Sequence, residues 1–289
     1  MPIHLKIGAE TPENRGATMT YINIGDHRLF YTDDGAGDQA VLLLHGATCD
    51  SHDWSWQIDP FAADHRVIAP DLRGHGRSSE IPGDHTPKAL AEDLALLLDR
   101  IGAGPVVAVG HSLGGTVASV LAVERPDLVR AVVALDPGYG FDAEFAAGAA
   151  DAFRGPDPIA VATALLSSVE STEPLPATEW LPTWHRRRTL GMSPEVVAEV
   201  FIGMFEASAD VTRRPAGEEY LRRRACPVLT VSTQTVLNIK GIDVGWDESV
   251  ASVHPYSLAV VWDTGHWLQQ ERPSTFNALV LGWMAGLPS

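Results

Sequence analysis

The chain has 289 residues, of which 45% are hydrophobic, and a formal net charge of −16 from 37 acidic and 21 basic residues. This length suits one large domain, or one domain that carries an insertion. The acidic balance argues against a nucleic-acid partner, because such a partner requires a basic surface, and it mildly disfavours anionic substrates. No stretch approaches the roughly 18 consecutive apolar residues of a membrane span, so no membrane partner is predicted.

The N-terminal region and the cysteines indicate a cytoplasmic protein. Residues 1–16 are mixed polar and lack the apolar stretch of a secretory signal. Cys49 and Cys226 lie far apart and are predicted to be free thiols, as in a reducing compartment. No metal or other cofactor is expected, since the chain shows neither metal-ligand spacing nor a phosphate or dinucleotide motif. The expected partner is a small-molecule substrate, and the expected state is a monomer or homodimer.

Short apolar runs alternate with helical stretches in the first half of the chain. This alternation is typical of an α/β domain with a mainly parallel sheet. An opening hairpin around Gly25 is predicted from residues 20–24 and 29–33. The elements predicted next are strands 41–44 and 66–70, helix 87–101, strand 106–109, helix 116–124 and strand 129–135.

The pattern changes at residue 138, after which strand signal almost disappears. Helical periodicity covers 141–153, 158–169, 194–208 and 216–224. Residues 138–225 are therefore interpreted as a helical cap, inserted into a core formed by residues 1–137 and 226–289. Strands are predicted again at 227–232 and 257–262, and a last helix at 274–285.

The strongest functional signal is a Gly-x-Ser-x-Gly motif at residues 110–114. An apolar strand runs directly into the motif, and a helical pattern follows it. In this context the serine lies on a sharp strand-to-helix bend with its hydroxyl above the sheet edge. The glycines tolerate the strained backbone and the close approach of strand and helix. Ser112 is therefore predicted to be a nucleophile; the alternative is a structural serine in a glycine turn.

A serine hydroxyl needs a base to attack a carbonyl, and the base needs an orienting acid. His266 is the best candidate for the base, because it follows the last predicted strand directly and can reach back over the sheet edge. The oxyanion that forms needs two backbone N–H donors. Leu113, the residue after the nucleophile, is predicted to provide one donor. Ala47, in the loop after strand 41–44, is predicted to provide the other, with Thr48 as the alternate.

Together these segments resemble the α/β-hydrolase superfamily over about residues 20–287. The matching motifs are Leu-Leu-His-Gly at 43–46, the segment 66–78 ending in Arg-Gly-His-Gly-Arg-Ser, Gly-His-Ser-Leu-Gly-Gly at 110–115, and Gly-His at 265–266 followed by Glu-Arg-Pro at 271–273. The resemblance implies an eight-stranded, mainly parallel sheet with a helical cap. It also implies a Ser-His-acid triad around Ser112 and His266, and it leaves the substrate open.

The acid departs from the common pattern of this superfamily. Most members carry an aspartate after the seventh strand, whereas residues 227–238 contain no acidic residue. A minority place the acid after the sixth strand, among them some haloalkane dehalogenases, a zearalenone-type lactonase and the cofactor-free quinolone dioxygenases. Asp136 occupies that position and is the predicted acid, because the tip of the sixth strand can also reach His266. Asp243 is the second candidate.

Aromatic residues of the cap are predicted to make the substrate pocket apolar. The candidate pocket residues are Thr48, Trp54, Phe141, Trp180, Trp184 and Trp267. The predicted function is hydrolysis of a carboxylic ester or lactone of a moderately large apolar compound. Three alternatives remain: a cofactor-free dioxygenase that uses the His266–Asp136 pair on a heteroaromatic substrate, a C–C bond hydrolase, and a non-catalytic small-molecule receptor. A serine rather than an aspartate at position 112 argues against dehalogenase and epoxide hydrolase chemistry.

Overall fold

The computed structural model describes residues 18–81, 83–251 and 254–288. Its strands are β1 (Thr18–Ile24), β2 (His27–Asp34), β3 (Ala40–Leu44), β4 (Arg66–Pro70), β5 (Val106–His111), β6 (Val129–Leu135), β7 (Val228–Thr233) and β8 (Leu258–Trp262). They form one eight-stranded sheet in the order β1-β2-β4-β3-β5-β6-β7-β8. β1 and β2 form the predicted antiparallel hairpin, β2 pairs antiparallel with β4, and the other pairs are parallel. The predicted fold class is confirmed.

Helices flank the sheet and fill the connection between β6 and β7. Those before β6 are α1 (Ser55–Ala62), α2 (Pro87–Ile101) and α3 (Leu113–Glu124). Those between β6 and β7 are α4 (Ala143–Phe153), α5 (Pro158–Ser167), α6 (Leu181–Thr189), α7 (Pro194–Ile202), α8 (Ala209–Thr212) and α9 (Ala216–Leu221), with a π-helical turn at Gly203–Ala207. Those after β7 are α10 (Gln234–Lys240), α11 (Val244–Ala251), α12 (Leu268–Glu271) and α13 (Pro273–Ala285). The segment 138–225 is called the cap below.

The period of two along the buried strands divides the core between the two faces of the sheet. In β3, Leu42 and Leu44 pack in the layer that contains α2, α3 and much of the cap, whereas Val41 and Leu43 pack in the layer that contains α1 and α13. All four side chains are fully buried. Because helices cover both faces, these strands read as continuous apolar runs in the sequence.

The structure also bears on membranes and on the two cysteines. Across the described ranges, no helix has both the length and the apolar character needed to cross a bilayer. Cys49 and Cys226 are both buried and free, as predicted. Burial raises the pKa of both thiols, that of Cys226 to about 11, so neither thiol is readily ionised.

A buried ion pair joins the cap to the core. Asp53 lies in the 3₁₀ turn Ser51–Trp54, is fully buried, and pairs with Arg188 of α6. Burial opposes ionisation of Asp53, but the charge of Arg188 outweighs it and lowers the pKa of this carboxyl from 3.8 to about 2. The resulting stabilisation is therefore complete above pH 3.8 and is lost as the pH falls through about 2.

Arg188→Met is expected to destabilise the protein by about 3–5 kcal/mol, because it leaves the Asp53 carboxylate buried without a counter-charge. Urea unfolding at neutral pH measures the loss. Arg187→Met is the matched control, since Arg187 is exposed on the same helix; it should change the free energy of unfolding by less than about 0.5 kcal/mol. Equal effects of the two substitutions would contradict the role given to the pair.

Candidate active site

Ser112 lies at the bend between β5 and α3. Its φ of +52° is in the left-handed region, which residues with a side chain rarely adopt. Strand and helix approach so closely that a Cβ on Gly110 would lie 2.1 Å from the Gly114 carbonyl oxygen. A Cβ on Gly114 would lie 2.3 Å from the Leu44 carbonyl oxygen of β3. Glycine is therefore required at both positions, and the bend holds Ser112 at the carboxyl end of the central strand.

The predicted base and the predicted acid are in direct contact. His266 Nδ1 lies 3.0 Å from Asp136 Oδ2, and both residues are buried. Asp136 directly follows β6 at a φ of +41°, and its N–H donates to the Val231 carbonyl oxygen of β7. The His266 N–H donates to the Val169 carbonyl oxygen of the cap at 2.9 Å. The ends of β6 and β8 thus bring together two residues that are distant in the sequence.

Thr233, which the sequence analysis did not single out, holds the Asp136 carboxylate from the end of β7. Its N–H donates to Oδ1 at 2.6 Å and its hydroxyl donates to Oδ2 at 2.7 Å. Thr233 ends the strand after which most members of the superfamily carry the acid. The absence of an acid after β7 could have pointed to Thr233. When the acid follows β6 instead, β7 lies between the acid and β8, and residues at the end of β7 are in position to donate hydrogen bonds to it.

Thr233→Val is expected to lower kcat by about 10-fold, because it removes one hydrogen bond to a charged carboxylate that orients His266. Thr233→Ser keeps the hydroxyl and should retain activity within about threefold of the parent. Steady-state kinetics with 4-nitrophenyl acetate compare the two variants. A kcat in Thr233→Val equal to that of the parent would contradict the role given to the hydroxyl, because valine keeps the threonine methyl group and lacks only the hydroxyl.

Ser112, Asp136 and His266 line one cavity, and most of its remaining wall is apolar. The cap contributes Phe141, Phe145, Leu165, Phe201 and Phe205 to this wall. The volume of about 70 Å³ is well below the ~300–1,000 Å³ of typical ligand pockets. The cavity as it stands therefore has room only for a small group.

Ser112 and His266 line the same cavity. No hydrogen bond joins the Ser112 hydroxyl to the His266 ring within the described part of the chain. Such catalytic bonds are often long in unliganded enzymes and shorten when substrate binds. His111 Nε2 donates to the His266 carbonyl oxygen at 2.9 Å and helps to fix the loop that carries the base. Burial lowers the pKa of His111 well below its ordinary value, so this ring is neutral.

The loop after β3 passes beside the nucleophile. A Cβ on Gly46 would lie 3.2 Å from the Ser112 Cβ and 2.9 Å from His111 Nδ1. The next residue, Ala47, is buried, and so is Leu113 at the start of α3. Neither N–H has a hydrogen-bond acceptor among the described residues. Unpaired buried donors beside a nucleophile are the arrangement that an oxyanion hole requires.

Phe141 is the only one of the six predicted pocket residues that lines the cavity. Trp54 is fully buried and packs on Phe276 in the layer that contains α1 and α13. Trp267 is also buried and does not line this cavity, although its ring packs against the His266 ring. Thr48 is buried within the loop after β3, where its hydroxyl accepts a hydrogen bond from Thr189 at 3.0 Å, and it does not line the cavity.

Three other sequence candidates lie on the surface. Trp180 and Trp184 are 45% and 41% exposed and pack with each other, and Trp180 also packs with Trp56; neither lines the cavity. Helical spacing alone does not show which face of a cap helix meets the core. Asp243 is exposed and accepts the Trp246 N–H at the start of α11. It acts there as a helix cap and does not contact His266.

The strand order and the serine at the β5–α3 bend define an α/β-hydrolase fold. Residues 41–279 match the Alpha/beta hydrolase family, and the chain belongs to this family. The chain is 27% identical to a 2-hydroxy-6-oxononadienedioate/2-hydroxy-6-oxononatrienedioate hydrolase of Burkholderia vietnamiensis, over 93% of this chain and 96% of that protein.

Two solved structures extend the comparison. A thermophilic esterase from Thermogutta terrifontis, solved with malate bound, is 28% identical, with a TM-score of 0.76 over 93% of this chain and 98% of that one. Est816, described as an N-acyl homoserine lactone degrading enzyme, is 26% identical, with a TM-score of 0.73 over 91% of this chain and 99% of that one. The neighbours of this chain thus include hydrolases of several bond types.

Proposed function

We propose that the protein is a serine hydrolase that cleaves a carboxylic ester or a lactone. The observation that carries the proposal is the contact between His266 and Asp136 at a cavity that Ser112 also lines. In this mechanism Ser112 attacks the carbonyl carbon and His266 accepts the serine proton. Asp136 holds the imidazole and stabilises its charged form. The similarity to an esterase and to a lactone-degrading enzyme supports this bond type.

The proton path follows from the hydrogen bond to the acid. His266 donates Nδ1–H to Asp136, so Nε2 is the atom that takes the proton from Ser112 and passes it to the leaving alcohol. The N–H groups of Ala47 and Leu113 stabilise the oxyanion, each by about 3 kcal/mol of barrier. Water then attacks the acyl-enzyme with His266 as base, which releases the acid and restores the Ser112 hydroxyl.

Labelling with a fluorophosphonate probe tests the proposal. The expected result is a single adduct that mass spectrometry maps to Ser112 in the parent protein, and no adduct in Ser112→Ala. His266→Ala should slow labelling strongly, because the serine loses its base. An adduct on another serine, or no adduct at all, would refute the assignment of the nucleophile.

A C–C bond hydrolase is the second candidate, favoured by the nearly full-length similarity to the dienedioate hydrolase of Burkholderia vietnamiensis. The same three residues serve either reaction, so the substrate decides between them. Loss of the absorbance of 2-hydroxy-6-oxononadienedioate measures the C–C reaction directly. A kcat/KM for this compound above that for simple esters would favour the second candidate.

The cofactor-free dioxygenase alternative makes a different demand on the serine. In that reaction the His266–Asp136 pair removes a proton from the substrate, and Ser112 only donates a hydrogen bond. Oxygen consumption with a heteroaromatic substrate that survives in Ser112→Ala and disappears in His266→Ala would identify it. We expect no oxygen consumption in either variant.

A further inference from the structure

A buried lysine that the triad does not use lies in the wall of the active-site cavity. Lys240 is the last residue of α10, is 1% exposed, and lines the cavity with Ser112 and His266. Among the residues that the structure describes, no other lysine or arginine lines this cavity. Burying an ammonium is costly unless a hydrogen-bonded partner, preferably of opposite charge, satisfies it. The position of Lys240 in a wall that is mostly apolar apart from the three triad residues therefore needs a reason.

The contacts of the Lys240 ammonium leave part of its bonding capacity unused. Nζ donates to the Pro137 carbonyl oxygen at 2.7 Å. It lies 5.8 Å from the ring centroids of Tyr139 and Phe141, at the outer limit of a cation–π contact. An ammonium has three donors, and among the described residues no further acceptor and no ion pair is found for this one. Two donors are left beside the cavity wall.

Two carboxylates act on Lys240 without contacting it. Asp136 accepts both donors of Thr233, and Asp247 accepts the Ser232 hydroxyl at 2.6 Å. Burial lowers the pKa of Lys240, whereas the charges of Asp247 and Asp136 oppose that shift. An anion bound in the cavity would pair the ammonium directly and favour its charged form.

We propose that Lys240 binds a carboxylate of the substrate, so that the preferred ester or lactone carries a free carboxylate a few atoms from the scissile carbonyl. This inference rests on the proposed serine hydrolase function. A carboxylate would use the two remaining donors in charge-assisted hydrogen bonds, whereas a neutral substrate would leave them buried and unpaired. The formal net charge of −16 repels anions in general, so a dedicated cation is what an anionic substrate needs here.

The test compares two esters of similar length in the full-length protein. Monoethyl succinate carries a carboxylate, and ethyl pentanoate is neutral; pH-stat titration follows the acid released from each. We expect kcat/KM to be at least about 10-fold higher for monoethyl succinate. Lys240→Met should reduce this ratio by about 10- to 100-fold, as expected when a hydrogen bond between charged groups is lost. Lys88→Met is the matched control, since Lys88 is a surface residue that pairs with Asp210, and it should leave the ratio unchanged.

Several outcomes would overturn the assignment. One is a ratio of kcat/KM for monoethyl succinate to that for ethyl pentanoate of one or less in the parent protein. Another is that the parent protein hydrolyses neither ester. Both results are independent of whether any variant folds. A ratio in Lys240→Met within about twofold of the parent, with thermal unfolding showing that the variant is folded, also overturns it. Fluorophosphonate labelling separates the two proposals: if Ser112 is labelled but no carboxylate preference is found, only the role of Lys240 fails. If Ser112 is not labelled, the serine hydrolase mechanism fails.

Discussion

Ser112→Ala is expected to lower kcat for 4-nitrophenyl acetate by about 10³- to 10⁶-fold and to abolish the initial burst of 4-nitrophenolate. Of the described residues that line the cavity, Ser112 alone carries a hydroxyl or thiol group. Without it the His266–Asp136 pair has no nucleophile to activate, and no acyl-enzyme can form. Residual hydrolysis would come from water activated by His266 and from the backbone donors near the bend.

Stopped-flow kinetics measure the burst, and thermal unfolding establishes that the variant is folded. Alanine keeps a Cβ at the left-handed position, so the backbone strain at φ +52° stays as it is in the parent. The loss should therefore be confined to chemistry, with little change in stability. A burst of undiminished amplitude in Ser112→Ala would rule out an acyl-enzyme at this residue.

Asp136→Asn is expected to lower kcat by about 10⁴-fold, as the equivalent change does in other serine triads. The geometry around the carboxylate explains the size of the effect. The Thr233 N–H donates to Oδ1, which keeps an oxygen at that position. The amide nitrogen of asparagine would then face His266 Nδ1 and donate to it, and Nε2 would carry the ring proton. In this tautomer the imidazole cannot accept the proton of Ser112.

Asp243→Asn is the control for the acid, since Asp243 was the second candidate in the sequence. It caps α11 at the surface, and its substitution should leave kcat within about twofold of the parent. Steady-state kinetics on both variants compare the two positions directly. A large loss in Asp243→Asn, or a normal kcat in Asp136→Asn, would contradict the assignment of the acid.

The fold was predictable because its signals are local. Buried strands such as β3 read as short apolar runs, and α2 shows the spacing of an amphipathic helix. The bend at Ser112 was predictable for a similar reason, since Gly110 and Gly114 are required by contacts within one strand–helix unit and its neighbour. The helices α10 and α11 gave no clear signal; they are short, and α11 carries charged residues that weaken its periodicity.

Local patterns in the sequence thus predicted most helices and strands, the fold class and the candidate functional residues at the ends of strands. The folded chain decided which of those residues meet. β7 lies between β6 and β8, and this order lets Thr233 hold Asp136 against His266 and lets Lys240 enter the cavity wall. The packing of whole elements also decided that the four tryptophans expected in the pocket do not line this cavity. A spacing along the chain shows that a side chain can share a face with its neighbours, but the packing of whole elements selects what that face covers.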